Sequence, residues 1–407
     1  MVQLAFTLLP AILLALRVAA GPVLVDDNVI TLPISRRFNF TGTGTVVQND
    51  IARIKAVKSR AAAKKGARAV ISEPVDNQVV SYIATVGVGS PATSYDLIVD
   101  TGSSNTWVGA TKKYVVTSTS TKTTSRVSVS YGSGSFSGTE FTDQVTLATG
   151  LVIPKQSIGV ASTSSGFDGV DGILGIGPVD LTEGTLSSGS TLIPTVTDNL
   201  FSQGTITTNA IGISFEPTTT EDDVNGSIAF GGTDSTKFTG SIAFTPVTST
   251  SPASDYWGIN QAVTYGSTSI LASTAGIVDT GTTLIYLATN GFTKYKSAVG
   301  GVADANTGLL RITATQFAAL QNLNFVIGGV TYALTPNAQI WPRSLNTAIG
   351  GTASSIYLVV ADWGANSGEG LDFINGYAFL ERFYSVFDTA NKRIGLATTP
   401  FTTATTN

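Results

Sequence analysis

Apolar and polar positions alternate in short runs along most of this chain, and the runs stop at Gly, Pro or Ser/Thr clusters. Val79 to Val88 alternates in part and ends at Gly89-Ser90-Pro91. A period near two predicts a strand with one face buried. Asp96 to Val99 leads into a second strand end. Val127 to Gly138 reads as a hairpin whose Gly-rich tip can fold over a cleft. Glycines at 169, 172, 175 and 177 in an apolar run predict close backbone approach. Ile193-Pro194 to Gln203-Gly204 predicts a short helix, with Pro near its start and Gly at its end. Further helices are expected at about 289–298 and from Thr313 to Leu323. Phe325 to Tyr332 predicts a hairpin turning at Gly328-Gly329. The Thr/Ser/Pro-rich stretch 240–256 predicts the connection between two halves. Phe373 to Phe379 is expected to be the second-half counterpart of 173–177.

One pattern occurs twice. Ile98-Val99-Asp100-Thr101-Gly102-Ser103-Ser104 returns as Ile277-Val278-Asp279-Thr280-Gly281-Thr282-Thr283, 179 residues later. Each copy is an apolar run, then Asp, then Thr-Gly, then two hydroxyl residues. A carboxylate at the end of a buried strand needs hydrogen-bond partners. The turn offers N–H groups after Gly102 and Gly281 and the hydroxyls of Ser103 and Thr282. Alone, either Asp reads as a turn cap. Two similar units imply two similar halves, and facing halves bring two carboxylates together. Such a pair shares one proton, so it holds an acid and a base at once.

Composition narrows the chemistry. The 407 residues suffice for two domains. Charged residues are 12% and Gly numbers 43, which with abundant Ser and Thr predicts a mostly β protein. Cys and His are both absent. That excludes disulfides, thiolate nucleophiles, Ser-His-Asp catalysis and imidazole metal sites. Acid–base work falls to carboxylates, Tyr or Lys. No Walker loop follows the glycines near 172, and the spacing of Asp168 and Asp171 lacks the ligands Ca²⁺ needs. No metal, cofactor, nucleic acid or membrane is expected as a partner.

Charge divides the chain. Residues 1–20 read as a secretory signal ending near Ala20, although no Lys or Arg precedes the apolar run. Residues 21–68 hold nine basic and three acidic residues, a net charge of +6, whereas everything after them is −11. A basic leader on an acidic body predicts a removable propeptide that docks electrostatically and leaves at low pH. A lysine is expected on the carboxylate pair, with Lys55, Lys58, Lys64 and Lys65 as candidates. The body divides into lobes at 69–245 and 246–407. Asn225 in Asn-Gly-Ser is a glycosylation candidate that survives removal of the leader.

The two Asp-Thr-Gly motifs, Trp107, Tyr131-Gly132-Ser133-Gly134, Asp171-Gly172-Ile173-Leu174-Gly175 and the stretch Phe379 to Leu396 together resemble the pepsin-type aspartic endopeptidases from about Val79 to Ala397. The likeness is greatest to the secreted pepsins of wood-decay basidiomycete fungi. It implies an all-β, bilobal pepsin-like fold with a few short helices and a central active-site cleft. It implies Asp100 and Asp279 as the catalytic pair, Thr101 and Thr280 as mutual locks of the two loops, and Ser103 and Thr282 as orienters of the outer carboxylate oxygens. Tyr131 would close over substrate, with Trp107 as its hydrogen-bond partner. Ser133 stands where some fungal relatives carry Asp, which implies bulky apolar residues at P1. The implied protein is a secreted, monomeric zymogen acting on polypeptides, inhibited by its own propeptide and by pepstatin-like compounds. Asn375 departs from the family, which has an apolar residue before Gly376.

Overall fold

The computed structural model describes residues 29–40, 44–64, 78–131 and 134–407. The expected signal segment, the junction at 68/69, Gly132 and Ser133 lie outside the described residues.

Each half contains the same three-step strand arrangement. In the first, Gln78–Val88 pairs antiparallel with Thr93–Asp100, Ile83 facing Ile98. Thr93–Asp100 then runs parallel to Gly172–Gly175, with Val99 opposite Leu174 and Asp100 opposite Gly175. In the second, Gly258–Tyr265 pairs with Thr268–Val278, Gly258 facing Ile277. Thr268–Val278 runs parallel to Phe373–Asn375, Val278 opposite Asn375. Phe373–Asn375 is thus the counterpart of Gly172–Gly175, as the repeated motif implied. The glycines act through close approach. A side chain on Gly175 would meet the Ser104 carbonyl carbon at 2.6 Å, and one on Gly376 would meet the Thr282 oxygen at 2.5 Å.

The halves are not separate sheets. A 13-stranded sheet contains the first-half strands, the last two strands of the chain and, between Asp223–Phe230 and Gln78–Val88, the strand Ile30–Phe40 of the basic segment. A seven-stranded and a three-stranded sheet complete the second half. The fold is therefore all-β and two-lobed, with a few short helices.

Local signals explain the helices. Thr195 and Asp198 form a reciprocal cap that starts Val196–Ser202, and Gly204 at φ +76° follows it. Thr289–Val299 ends at left-handed Gly300. Gly328 and Gly329, at φ +56° and +83°, make the tight turn of the Leu323–Ile327 and Val330–Leu334 hairpin. The structure refines two expectations. The helix from Thr313 shrinks to Ala314–Ala318, because Leu323 already begins a strand. The presumed connection at 240–256 begins as an edge strand, Thr239–Pro246, with Thr245 opposite Ile394. Thr suits a pleated edge as well as a loop, so a connecting stretch of this composition can also pair as a strand.

The basic segment lies on the body through opposite charges. Arg36 is buried at 3.3 Å from Glu381, and Arg37 lies 2.9 Å from Asp96. Helix Val46–Lys64 buries Val46, Asn49, Asp50, Arg53, Ile54 and Val57, a stripe of one helix face, and leaves Gln48 and Lys55 exposed.

Candidate active site

Asp100 and Asp279 end equivalent buried strands, both carboxylates have no solvent exposure, and they face each other. One oxygen of each, Oδ1, accepts the N–H two residues on: Gly102 at 2.9 Å and Gly281 at 3.0 Å. The other, Oδ2, accepts a hydroxyl, from Ser103 for Asp100 and from Thr282 at 2.6 Å for Asp279. The glycines are needed for the approach of the two loops. A side chain on Gly102 would come within 2.7 Å of Asp279 Oδ1, and one on Gly281 within 2.6 Å of Asp100 Oδ1.

The loops lock each other. Thr101 N–H donates to the Thr280 hydroxyl and Thr280 N–H to the Thr101 hydroxyl, each at 3.0 Å. The Thr280 hydroxyl donates onward to Val99 O at 3.0 Å and the Thr101 hydroxyl to Val278 O at 3.5 Å. Two threonines from opposite halves thus fix the separation of the two carboxylates.

The cation on this pair is Arg53, not a lysine. Its Nη2 bridges Asp100 Oδ1 at 2.5 Å and Asp279 Oδ1 at 3.0 Å, while Nε reaches Asp279 Oδ2 at 2.8 Å. A guanidinium spans two carboxylates with a rigid fork, whereas an ammonium is a point donor. Of the expected candidates, Lys55 is exposed and Lys58 pairs with Glu369 at 2.9 Å. The side chains of Lys64 and Lys65 lie outside those described. The signal that could have singled out Arg53 is its helical spacing from Val46, Asp50 and Val57, which places it on the buried stripe.

Electrostatics follow from burial and this cation. Burial works against the Arg53 charge, but Asp100 and Asp279 more than offset it and hold its pKa above the ordinary value. Burial pushes the Asp279 carboxyl up, and the charge and hydrogen bonds of Arg53 outweigh that, holding it below the usual carboxylate range. Asp50, one helical turn before Arg53, accepts the N–H groups of Thr283 at 3.2 Å and Leu284 at 3.0 Å. Burial nevertheless pushes its pKa up to about 7, the N–H bonds and Arg53 only partly countering.

Tyr131 is buried beside this site. Its N–H closes the hairpin tip onto Gly134 O at 2.8 Å. Its ring lies 6.4 Å from that of Trp107 and edge-on to Phe167 at 5.6 Å. The Trp107 indole nitrogen has no hydrogen-bond partner among the described residues. The expected Tyr131–Trp107 hydrogen bond is therefore replaced by ring contact. Gly102, Ser130 and Tyr131 line one small cavity together with Arg53, Ala56 and Val57.

Two further positions differ from expectation. Asn225 is 7% exposed. Its Nδ2, the atom a sugar would modify, donates to Tyr82 Oη at 3.1 Å and to Glu216 O. In this fold that nitrogen is not available as a glycosylation acceptor. Asn375, in place of an apolar residue, is fully buried and pairs reciprocally with Gln261: Nδ2 to Oε1 at 2.8 Å, and Nε2 to Oδ1 at 3.2 Å. Its own carbonyl accepts the Asp279 N–H at 3.1 Å. Sequence reading missed Gln261, because no pattern joins residues 114 apart.

Among the described residues no cluster of three or more His, Cys, Asp or Glu side chains is placed to hold a metal, and no helix is long and apolar enough to cross a membrane. The sequence matches the family described as Eukaryotic aspartyl protease over residues 81–399, a span that holds both aspartate loops. The chain belongs to that family. It is similar to polyporopepsin of Irpex lacteus, 71% identical over 338 residues, 83% of this chain and 99% of the relative. It is 32% identical to gastricsin of Cavia porcellus over 357 residues, 83% and 84% of the two chains. A crystal structure of aspartic proteinase from Irpex lacteus superposes with a TM-score of 0.81 at 63% identity, covering 93% of this chain and 99% of that one. The protein is a pepsin-like aspartic endopeptidase.

Proposed function

We propose that this protease is a secreted zymogen in which Asp100 and Asp279 activate a water once the basic segment has left. The observation that carries the reading is the Arg53 guanidinium bridging both buried carboxylates. It occupies the place a water would take between them. With Arg53 gone, two close carboxylates share a proton. The ionised one takes a proton from water as that water attacks the scissile carbonyl. The protonated one donates to the carbonyl oxygen and stabilises the tetrahedral intermediate. The dyad titrates as a unit, so the proton belongs to the pair.

Acid opens the site by linkage. The docked segment holds Asp279 below its ordinary pKa. A carboxylate depressed in the docked state stabilises docking above its ordinary pKa and loses that contribution as pH falls. Through Asp279, acidification therefore favours release. Residues 1–20 supply the reason to read the protein as secreted. A preference for bulky apolar P1 residues rests on the uncharged Ser133 and on the resemblance. Residues 21–68 act as intramolecular inhibitor, and the released enzyme works as a monomer.

The test is cleavage of an unfolded protein by acid-treated enzyme at about pH 3.5 and at pH 7, with and without pepstatin. The conditions follow from a carboxylate pair sharing one proton. The expected result is cleavage in acid only, abolished by the inhibitor. Cleavage at neutral pH that ignores pepstatin would overturn the mechanism.

A further inference from the structure

We propose that Glu369 and Trp363 form a subsite for a cationic side chain of the substrate, two residues from the scissile bond. The inference rests on the reading of helix Val46–Lys64 as a removable segment lying where substrate binds. Its residue Lys58 is seated in the proposed site. The Lys58 ammonium lies 2.9 Å from Glu369 Oε2 and 4.7 Å from the centre of the Trp363 ring. A carboxylate beside an aromatic face is a recurrent receptor for ammonium and guanidinium groups.

The site lies along the path from the paired aspartates. Arg53 is on the carboxylates, Ala56 and Val57 line the cavity with Gly102 and Tyr131, and Val57 O accepts the Tyr256 hydroxyl at 3.4 Å. Lys58 follows directly. It stands five residues beyond Arg53, a rise of about 7.5 Å along a helix. An extended peptide covers that distance in about two residues.

The receptor is held by contacts that do not involve the helix Val46–Lys64. The buried Asp372 carboxylate accepts the N–H groups of Gly368 at 2.8 Å and Glu369 at 3.1 Å. Asn290 holds Ser367 through two hydrogen bonds, at 2.9 and 3.0 Å. The Trp363 backbone N–H donates to Leu287 O at 2.8 Å. The Glu369 side chain itself is 56% exposed, so Lys58 is held loosely and a substrate cation can replace it.

The test uses acid-treated enzyme whose loss of the basic segment has been confirmed by intact mass. Peptides with one cleavable bond carry either Lys or Gln at each of the three positions on both sides of it. Cleavage is measured at about pH 5. The expected result is a kcat/KM for Lys about fivefold that for Gln, at a position two residues from the bond, as fits a partly exposed ion pair with a cation–π contact. In Glu369→Gln the Lys-to-Gln ratio falls to about one, and in Glu369→Lys it drops below one. Lack of Lys preference at every position, or a preference equal in Glu369→Gln, would overturn the subsite. If the mass shows the segment still attached, the removable-segment reading fails and the subsite fails with it.

Discussion

Asp100 and Asp279 each accept a glycine N–H and a hydroxyl, and each loop is locked by the threonine of the other. Beneath them the halves differ. The strand beside Val99 presents Leu174, whereas the strand beside Val278 presents Asn375. Matching Ile83 to Gly258 across the two halves makes Val86 the counterpart of Gln261. Two buried apolar side chains in the first half thus correspond to a buried amide pair in the second. The basic helix is also lopsided. Arg53 makes two hydrogen bonds to Asp279 and one to Asp100, and Asp50 caps N–H groups of the second loop only. The strand arrangement is shared, but the symmetry of the side chains extends only as far as the atoms around the carboxylates. Farther out, any packing that satisfies its own polar groups serves.

The largest test asks whether the two aspartates are equivalent in chemistry. Asp100→Asn and Asp279→Asn should each lower kcat in acid by roughly 10⁴-fold, the upper range for losing an acid–base group. A large difference between the two variants would break the symmetry at its centre.

The next test concerns the cation between them. Arg53→Ala leaves two buried carboxylates without their partner, which weakens docking of the segment by about 3–5 kcal/mol. Trypsin should then cut the segment much faster at pH 7, and Arg53→Lys should fall between. Equal rates in all three proteins would show that the strand Ile30–Phe40 alone holds the segment.

Asp50 titrates in the opposite sense to Asp279. Its pKa is pushed up to about 7 when docked and returns toward 3.8, its ordinary value, on release. The docked form therefore takes up a proton between those values, and Asp50 favours docking as pH falls through that window. Asp279, held low by Arg53, does the opposite. Asp50→Asn mimics the neutral acid, so it should stabilise the docked form at pH 7 by on the order of 2–4 kcal/mol and change it little at pH 4. Thermal melts at the two pH values check this. A larger gain at pH 4 than at pH 7 would reverse the assigned sign.

The smallest effect concerns the amide pair. Asn375→Leu leaves buried Gln261 without its partner and should destabilise by about 1–3 kcal/mol, while adding Gln261→Leu should recover most of that loss. A melting series of wild type, both single variants and the double variant decides it. Failure of the double variant to recover would mean that the pair does more than satisfy itself.

Strand ends, glycine turns and capped helices follow short-range rules, so the chain alone specified them. The doubled Asp-Thr-Gly, the Gly328-Gly329 hairpin, the helix after Thr195 and the counterpart role of 373–375 were all legible. The absence of His and Cys likewise left acid–base work to carboxylates, Tyr or Lys. What the tertiary structure decided was every pairing between distant residues. Arg53 rather than a lysine spans the carboxylates, because a bidentate fork fits two acceptors and only the folded helix shows which side chain faces them. Asn375 is tolerated because Gln261 meets it. Asn225 is occupied because Tyr82 and Glu216 reach it. Thr239–Pro246 is a strand because the end of the chain returns to pair with it. Local propensity acts over a few residues, whereas a buried polar group is satisfied by whatever the fold brings within 3 Å.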